Sequence, residues 1–181
     1  MKKENGLTLI ELMIGIAVFA ILVSLAAPQF TNLMRKQEMK SQASLLKSAL
    51  AYARNEAISR SSGVNLCGTT DGVSCSKAKN WSAGWLVYVD DESSTDQYFQ
   101  SGTDTLLKQN QNKGNSKLSL IASVDVIEYN QFGELDDDSA NVDLVVCAAG
   151  TTDAEKAYLA RTITVTPVGS SRVAAGSTSC P

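Results

Sequence analysis

Between Leu7 and Ala27 the chain reads LTLIELMIGIAVFAILVSLAA, 21 residues that are nearly all apolar, with one carboxylate, Glu11, in the first third. As a helix this run is about 31 Å long, enough to cross a hydrocarbon core of about 30 Å. A charge at the centre of such a span costs roughly 2.5–3.5 kcal/mol on insertion scales, so Glu11 calls for a partner. An ordinary secretory signal does not explain the segment. Its apolar core is about 7–15 residues long, and it has no use for a charge there, although Ser24-Leu25-Ala26 loosely fits a cleavage site.

The positive charges around the run do not orient it. Lys2 and Lys3 lie on one side and Arg35, Lys36 and Lys40 on the other. The cysteines are more informative. There are four, Cys67, Cys75, Cys147 and Cys180, and no two have the C-x-x-C spacing of a redox or zinc motif. An even number behind an export-type segment reads as two disulfides in an oxidising compartment, which places the large carboxyl-terminal part outside the cytoplasm. Four cysteines allow three pairings, and at this level all three stay open. The chain holds no histidine, which removes Ser-His-Asp and Cys-His catalysis and any His-ligated metal. No paired-carboxylate or Ser-Lys motif takes their place, so the reading is of a non-enzyme without a cofactor or metal. The formal charge of −3 argues against a general nucleic-acid binder.

Beyond Pro28 the pattern changes. Met39, Ala43, Leu46, Leu50, Ala53 and Ala57 recur at spacings of 4, 3, 4, 3 and 4, an apolar stripe on one helical face. Lys40, Lys47, Arg54 and Glu56 fall off it. The spacing predicts one long helix over 7–61, kinked near Pro28, where a backbone donor is missing. Its first half sits in an apolar setting and its second half packs on a domain. VNLC, GWLVYVD, DVIEYNQF, VDLVVCA and TITVTPV then read as short strands between Gly, Asn, Asp and Ser clusters. Strands that follow a helix without βαβ alternation give an α+β class, a long amino-terminal helix on an antiparallel sheet. Trp81 and Trp85 read as core residues.

The leader MKKENG, an apolar run with Glu at its fifth position, Glu11, and Pro28 at its twenty-second together resemble the amino-terminal signal of type IV pilins and type II secretion pseudopilins. Leu7 stands where phenylalanine is usual. The order of ARNEAISRSSGVNLC, DGVSC, WSAGWLVYVDDES, IEYNQFGEL, VDLVVCAAG and ITVTPVGSSRV is similar to the GspH/FimT group, to which the minor pilin FimU belongs. The resemblance divides the chain into a leader (1–6), a hydrophobic transmembrane and assembly helix (7–28), an amphipathic half-helix (29–61) and a periplasmic β-rich domain (62–181). It implies cleavage after Gly6 by a prepilin peptidase and methylation of Leu7. It also implies pairing of Glu11 with an amino-terminal amine as subunits join a filament. The implied role is a low-abundance pilus subunit at or near the tip that helps to start assembly. Its partners are other minor pilins and the major pilin. Its places are the inner membrane, crossed once, and then the extracellular pilus. A secretion pseudopilin of the GspH type is the alternative filament.

Cys67 and Cys75 enclose a short Gly/Ser/Asp loop, while Cys147 ends a strand and Cys180 lies at the tail. The pairing expected is therefore Cys67–Cys75 with Cys147–Cys180. Some pseudopilins bind calcium, but Asp136, Asp137, Asp138 and Asp143 lack the calcium-loop spacing and read as a solvated turn. FimT-like members linked to DNA uptake carry Gly-Arg-x-Arg. Here VGSSRV has Ser170 in place of the first arginine and keeps only Arg172. With one cation left in an acidic domain, DNA is not expected as a partner.

Overall fold

The computed structural model describes residues 8–91, 97–112, 118–136, 140–177 and 180, except for the side chains of residues 25–29. Gly6, Leu7, Asp137 and Asp138 lie outside the described residues. Two compact units are distinguished, Met1–Gln37 and Glu38–Pro181, and one helix, α1 (Leu9–Arg60), runs from the first into the second.

From Leu9 to Val23, apart from Glu11, α1 is apolar on all sides, and Leu9, Ile10, Leu12, Met13, Phe19 and Leu22 are all exposed. Among the described residues no helix is long and apolar enough to cross a membrane. The run Leu7–Ala27 begins before those residues and continues past the last described side chain of the stretch, Ser24. Position 28 is helical, so the carbonyl four residues earlier, on Ser24, has no backbone donor there.

The second unit begins with the other half of α1. Met39, Ala43, Leu46, Leu50, Ala53 and Ala57 are each at most 1% exposed, so the stripe is the buried face of the helix. Ser61, at φ 51°, ends it. The Ser62 N–H reaches the Ala57 carbonyl at 3.2 Å and the Ser61 N–H that of Ile58 at 3.3 Å, a Schellman closure in which serine holds the left-handed position more often given to glycine.

Among the described residues eight strands follow: β1 (Val64–Gly68), β2 (Gly84–Val89), β3 (Thr105–Gln111), β4 (Leu118–Ala122), β5 (Val126–Tyr129), β6 (Val142–Ala148), β7 (Arg161–Val165) and β8 (Ser171–Ala175), with a short helix α2 (Asp153–Leu159) between β6 and β7. They form two four-stranded sheets, ordered β3-β2-β1-β5 and β4-β6-β7-β8, with antiparallel neighbours throughout. The α+β expectation holds, with two sheets rather than one. Both sheets give alternate residues to one core with α1: Val64 and Leu66, Trp85 and Val87, Leu144 and Val146, Ile163 and Val165. Trp81 and Trp85 lie in it. On the outer face of the first sheet, Cys67, Leu86, Tyr88 and Val126 form a second apolar layer under Tyr98 and Phe99.

Candidate functional site

Glu11 sits in the first turn of α1. The Thr8 backbone N–H and hydroxyl both donate to Glu11 Oε2, at 2.9 and 2.8 Å, and the Glu11 N–H donates back to Thr8 Oγ1 at 3.3 Å. This is a reciprocal capping box. It satisfies donors that a helix start leaves unpaired and sets an acid at the positive end of the helix dipole. The Thr-x-x-Glu signal is present in the sequence, and reading Glu11 only as a membrane charge missed it. A carboxylate offers about four acceptor sites. With Thr8 using two, the group has capacity for a cation.

A second constellation lies where α1 ends. Arg54 donates from Nε to the Gly133 carbonyl at 2.8 Å and from Nη2 to the Val168 carbonyl at 2.9 Å. It joins α1 to the β5–β6 turn and to the β7–β8 turn, 79 and 114 residues away. Both turns need glycine. A Cβ on Gly133 (φ +74°) would lie 2.7 Å from Ile58 Cδ1, and one on Gly169 (φ +77°) 1.8 Å from the Gly133 carbonyl oxygen. Gly169→Ala is therefore expected to cost about 3 kcal/mol, from left-handed strain plus a clash with backbone that has no room to give. Gly150→Ala, at a similar φ of +72° with nothing within 4 Å, should cost only about 1–2 kcal/mol. Denaturant melts of the two variants side by side check the difference, and equal losses would refute the close packing.

The cysteines are joined as Cys67–Cys75 and Cys147–Cys180. The first bridge closes the β1–β2 loop. Inside that loop Asp71 accepts from Thr69 Oγ1, the Val73 and Ser74 N–H groups and Ser74 Oγ, and the Ser74 hydroxyl first, then those amides, hold its carboxyl far below the usual range. The second bridge packs with Val145 and Ala160 on the outer face of β6 and ties the tail to a central strand.

A cleft of about 280 Å³ is lined by Asp125, Val126, Glu128, Leu135, Asp136 and Asn141, among others. Among the described residues no group of acids, histidines or cysteines is arranged to hold a metal. Asp143 belongs to the sheet instead, accepting from Thr164 Oγ1 at 2.6 Å. Burial first, then Asp136 and Asp90, raise the Glu128 carboxyl above its ordinary value. A raised acid contributes stability that is present below its unfolded pKa and lost as pH rises through the folded one. Glu128→Gln should therefore raise Tm by about 1–2 °C at pH 7, an effect kept small by solvent screening. It should bring no gain at pH 4, and melts at the two pH values test this.

Arg172 is exposed on β8, an edge strand of the second sheet. Its register partner is Thr164, whose own partner on β6 is Asp143. Two strand spacings, about 10 Å, therefore separate the backbone positions of Arg172 and Asp143. Ser170 contributes no charge, and its hydroxyl lies 2.8 Å from that of Thr166. Among the described residues, the cleft that Arg172 shares with Asn141, Thr164, Thr166, Ser170 and Ala174 holds no second cation for a phosphate backbone. Glu11 belongs to the first unit and Arg172 and the cysteines to the second, and sequence reasoning missed the Arg54 clamp altogether.

A family model described as type II transport protein GspH matches residues 42–169. A prokaryotic N-terminal methylation motif matches residues 1–27. No curated protein matches the chain. Among solved structures it is similar to the type IV minor pilin FimU of Pseudomonas aeruginosa in two crystal forms. The first gives a TM-score of 0.58 at 19% identity, covering 79% of this chain and 100% of FimU. The second gives 0.54 at 19%, covering 80% and 92%. It is also similar to the minor pseudopilin EpsH of the Vibrio cholerae type 2 secretion system, with a TM-score of 0.50 at 16% identity over 76% of this chain and 97% of EpsH. At such identities the structural likeness speaks for the fold, and the two models, which together span most of the sequence, speak for the lineage. The chain belongs to the GspH family, and it is a pilin-like structural subunit with an N-terminal methylation motif rather than an enzyme.

Proposed function

We propose that this chain is a minor subunit of a type IV pilus, placed at or near the tip, where it helps to start assembly. The observation that carries the reading is the join of two parts in one chain. A methylation motif with Glu11 in its apolar run occupies residues 1–27, and a GspH domain occupies residues 42–169. Before assembly the chain crosses the inner membrane once, with residues 62–181 in the periplasm. Two disulfides in the domain support that side. The prepilin peptidase cuts after Gly6, Leu7 is methylated, and the partners are the major pilin and other minor pilins.

The test has two readouts. Intact-mass measurement of the membrane form should show a methylated amino terminus at Leu7; a chain beginning at Ala27 would mean an ordinary signal peptide. Gold labelling of sheared pili should mark filament ends, and deletion should lower filament number. Labels spread along the shaft would contradict the tip position. A type II secretion pseudopilus is the second reading, favoured by the GspH match and the likeness to EpsH. In that case deletion stops protein secretion and leaves surface pili intact.

A further inference from the structure

The apolar surface of α1 does not stop at Ala27. The helix continues through position 28, and Phe30, Leu33 and Met34 are 63%, 60% and 55% exposed. Their i, i+3, i+4 spacing puts them on one face, and Asn32, Arg35 and Lys36, at the same spacing, take the opposite one. Arg35 and Lys36 are the only charges from Leu12 to Gln37, and both are positive and exposed. Neither belongs to the described ion pairs, Arg60–Glu56 and Lys156–Asp153. The next acid, Glu38, is half-buried, and Lys40 follows it, so the local balance stays positive. Residues 30–36 all lie in the first unit.

With the disulfide-bonded domain outside the cytoplasm, these two cations stand on the side of the span where the positive-inside rule disfavours them. A role at that level accounts for their presence. We propose that Phe30, Leu33, Met34, Arg35 and Lys36 form a binding site for the headgroup of an anionic phospholipid in the outer leaflet of the inner membrane. The proposal rests on the single-pass reading above. Arg35 is eight residues past Ala27, about 12 Å along the helix axis. The headgroup layer is roughly 5–8 Å deep on each side of the hydrocarbon core. Helical side chains lean toward the amino terminus, which here is toward the membrane, and a long cationic side chain spans the remaining distance. The two positive groups then fall at the level of the phosphates, and the apolar face meets the upper part of the acyl chains. Charge selects the occupant. An anionic headgroup supplies the counter-charge that Arg35 and Lys36 lack, whereas an apolar helix laid on Phe30, Leu33 and Met34 would leave both cations unpaired.

The test uses the full chain in nanodiscs made of phosphatidylcholine and phosphatidylglycerol in equal parts. Native mass spectrometry of the released chain should find phosphatidylglycerol retained in preference to phosphatidylcholine. The double variant Arg35→Gln, Lys36→Gln should lower that preference roughly tenfold to thirtyfold, which corresponds to about 1 kcal/mol for each basic residue near an anionic surface. Lys47→Gln, on the half of α1 that belongs to the second unit, should leave it unchanged. A photo-activated p-benzoylphenylalanine in place of Leu33 should cross-link to lipid. Equal retention of the two lipids by the wild type would overturn the proposal, as would an unchanged preference in the double variant. An equal loss in Lys47→Gln, or cross-links from position 33 to protein alone, would overturn it too. A wild-type chain that stays out of the nanodiscs would instead sink the membrane reading, and this inference with it.

Discussion

Glu11→Ala is expected to leave the β domain folded and the chain in the membrane, while its incorporation into filaments falls roughly a hundredfold. Three magnitudes set that outcome. Loss of the capping box weakens the first turn of α1 by only about 1 kcal/mol. Removing a carboxylate from an apolar run takes away a penalty of roughly 2.5–3.5 kcal/mol and so cannot harm insertion. Leaving a cation buried without its partner in an assembled filament costs about 3–5 kcal/mol, the largest of the three. Glu11→Gln separates the roles. Its amide oxygen still accepts from Thr8, preserving the cap seen at 2.8 and 2.9 Å, while the charge is gone. If the charge guides assembly, Gln fails nearly as badly as Ala, and Asp falls between Gln and the wild type. Comparison of sheared filament and membrane fractions decides it. Wild-type incorporation of Glu11→Gln would reduce Glu11 to a helix cap.

Removing the second disulfide, with Cys147→Ala and Cys180→Ala together, should lower stability by roughly 4 kcal/mol. The chain-entropy relation gives that value for a separation of 33, and for a chain of this size it corresponds to a fall in Tm of roughly 8–15 °C. The matching double variant at Cys67 and Cys75, separated by 8 residues, should cost only about 2.5 kcal/mol. Near-UV melts of the detergent-solubilised chain measure both. If the short loop proves the more costly, its bridge is holding the Tyr98–Phe99 cover in place rather than merely closing a loop.

The parts of this fold written in short-range pattern were legible from residue order. The α1 stripe obeys the helical period, and β1, β2, β5, β6 and β7 are runs of β-branched and aromatic residues. Most of what was missed lacks such a pattern; the exception is β4, Leu118–Ala122, whose alternating burial is written in Leu-Ser-Leu and was passed over. In β3, Thr105–Gln111, no residue is fully buried, because it is an edge strand whose leucines alternate with nothing. The β8 strand is Ser-Arg-Val-Ala-Ala and takes its conformation from pairing with β7. Helix α2 has seven residues, and its mark is the Thr152–Glu155 capping box, the same device that went unnoticed at Thr8–Glu11. The Arg54 clamp joins three segments far apart in sequence. Nothing local announces that one arginine will hold two turns, although both turns show the glycine they need.

The buried face of α1 has a mechanical consequence. From Met39 to Ala57 the stripe runs about 27 Å along the helix axis, with six side chains sunk into a core supplied by both sheets. Tension applied along the axis loads those contacts together, in shear, rather than one at a time as peeling would. Near the far end of the helix, Arg54 adds two hydrogen bonds from the helix to the β5–β6 and β7–β8 turns. A domain attached in this way resists being torn from its stalk at forces that would unzip the same number of contacts arranged end to end.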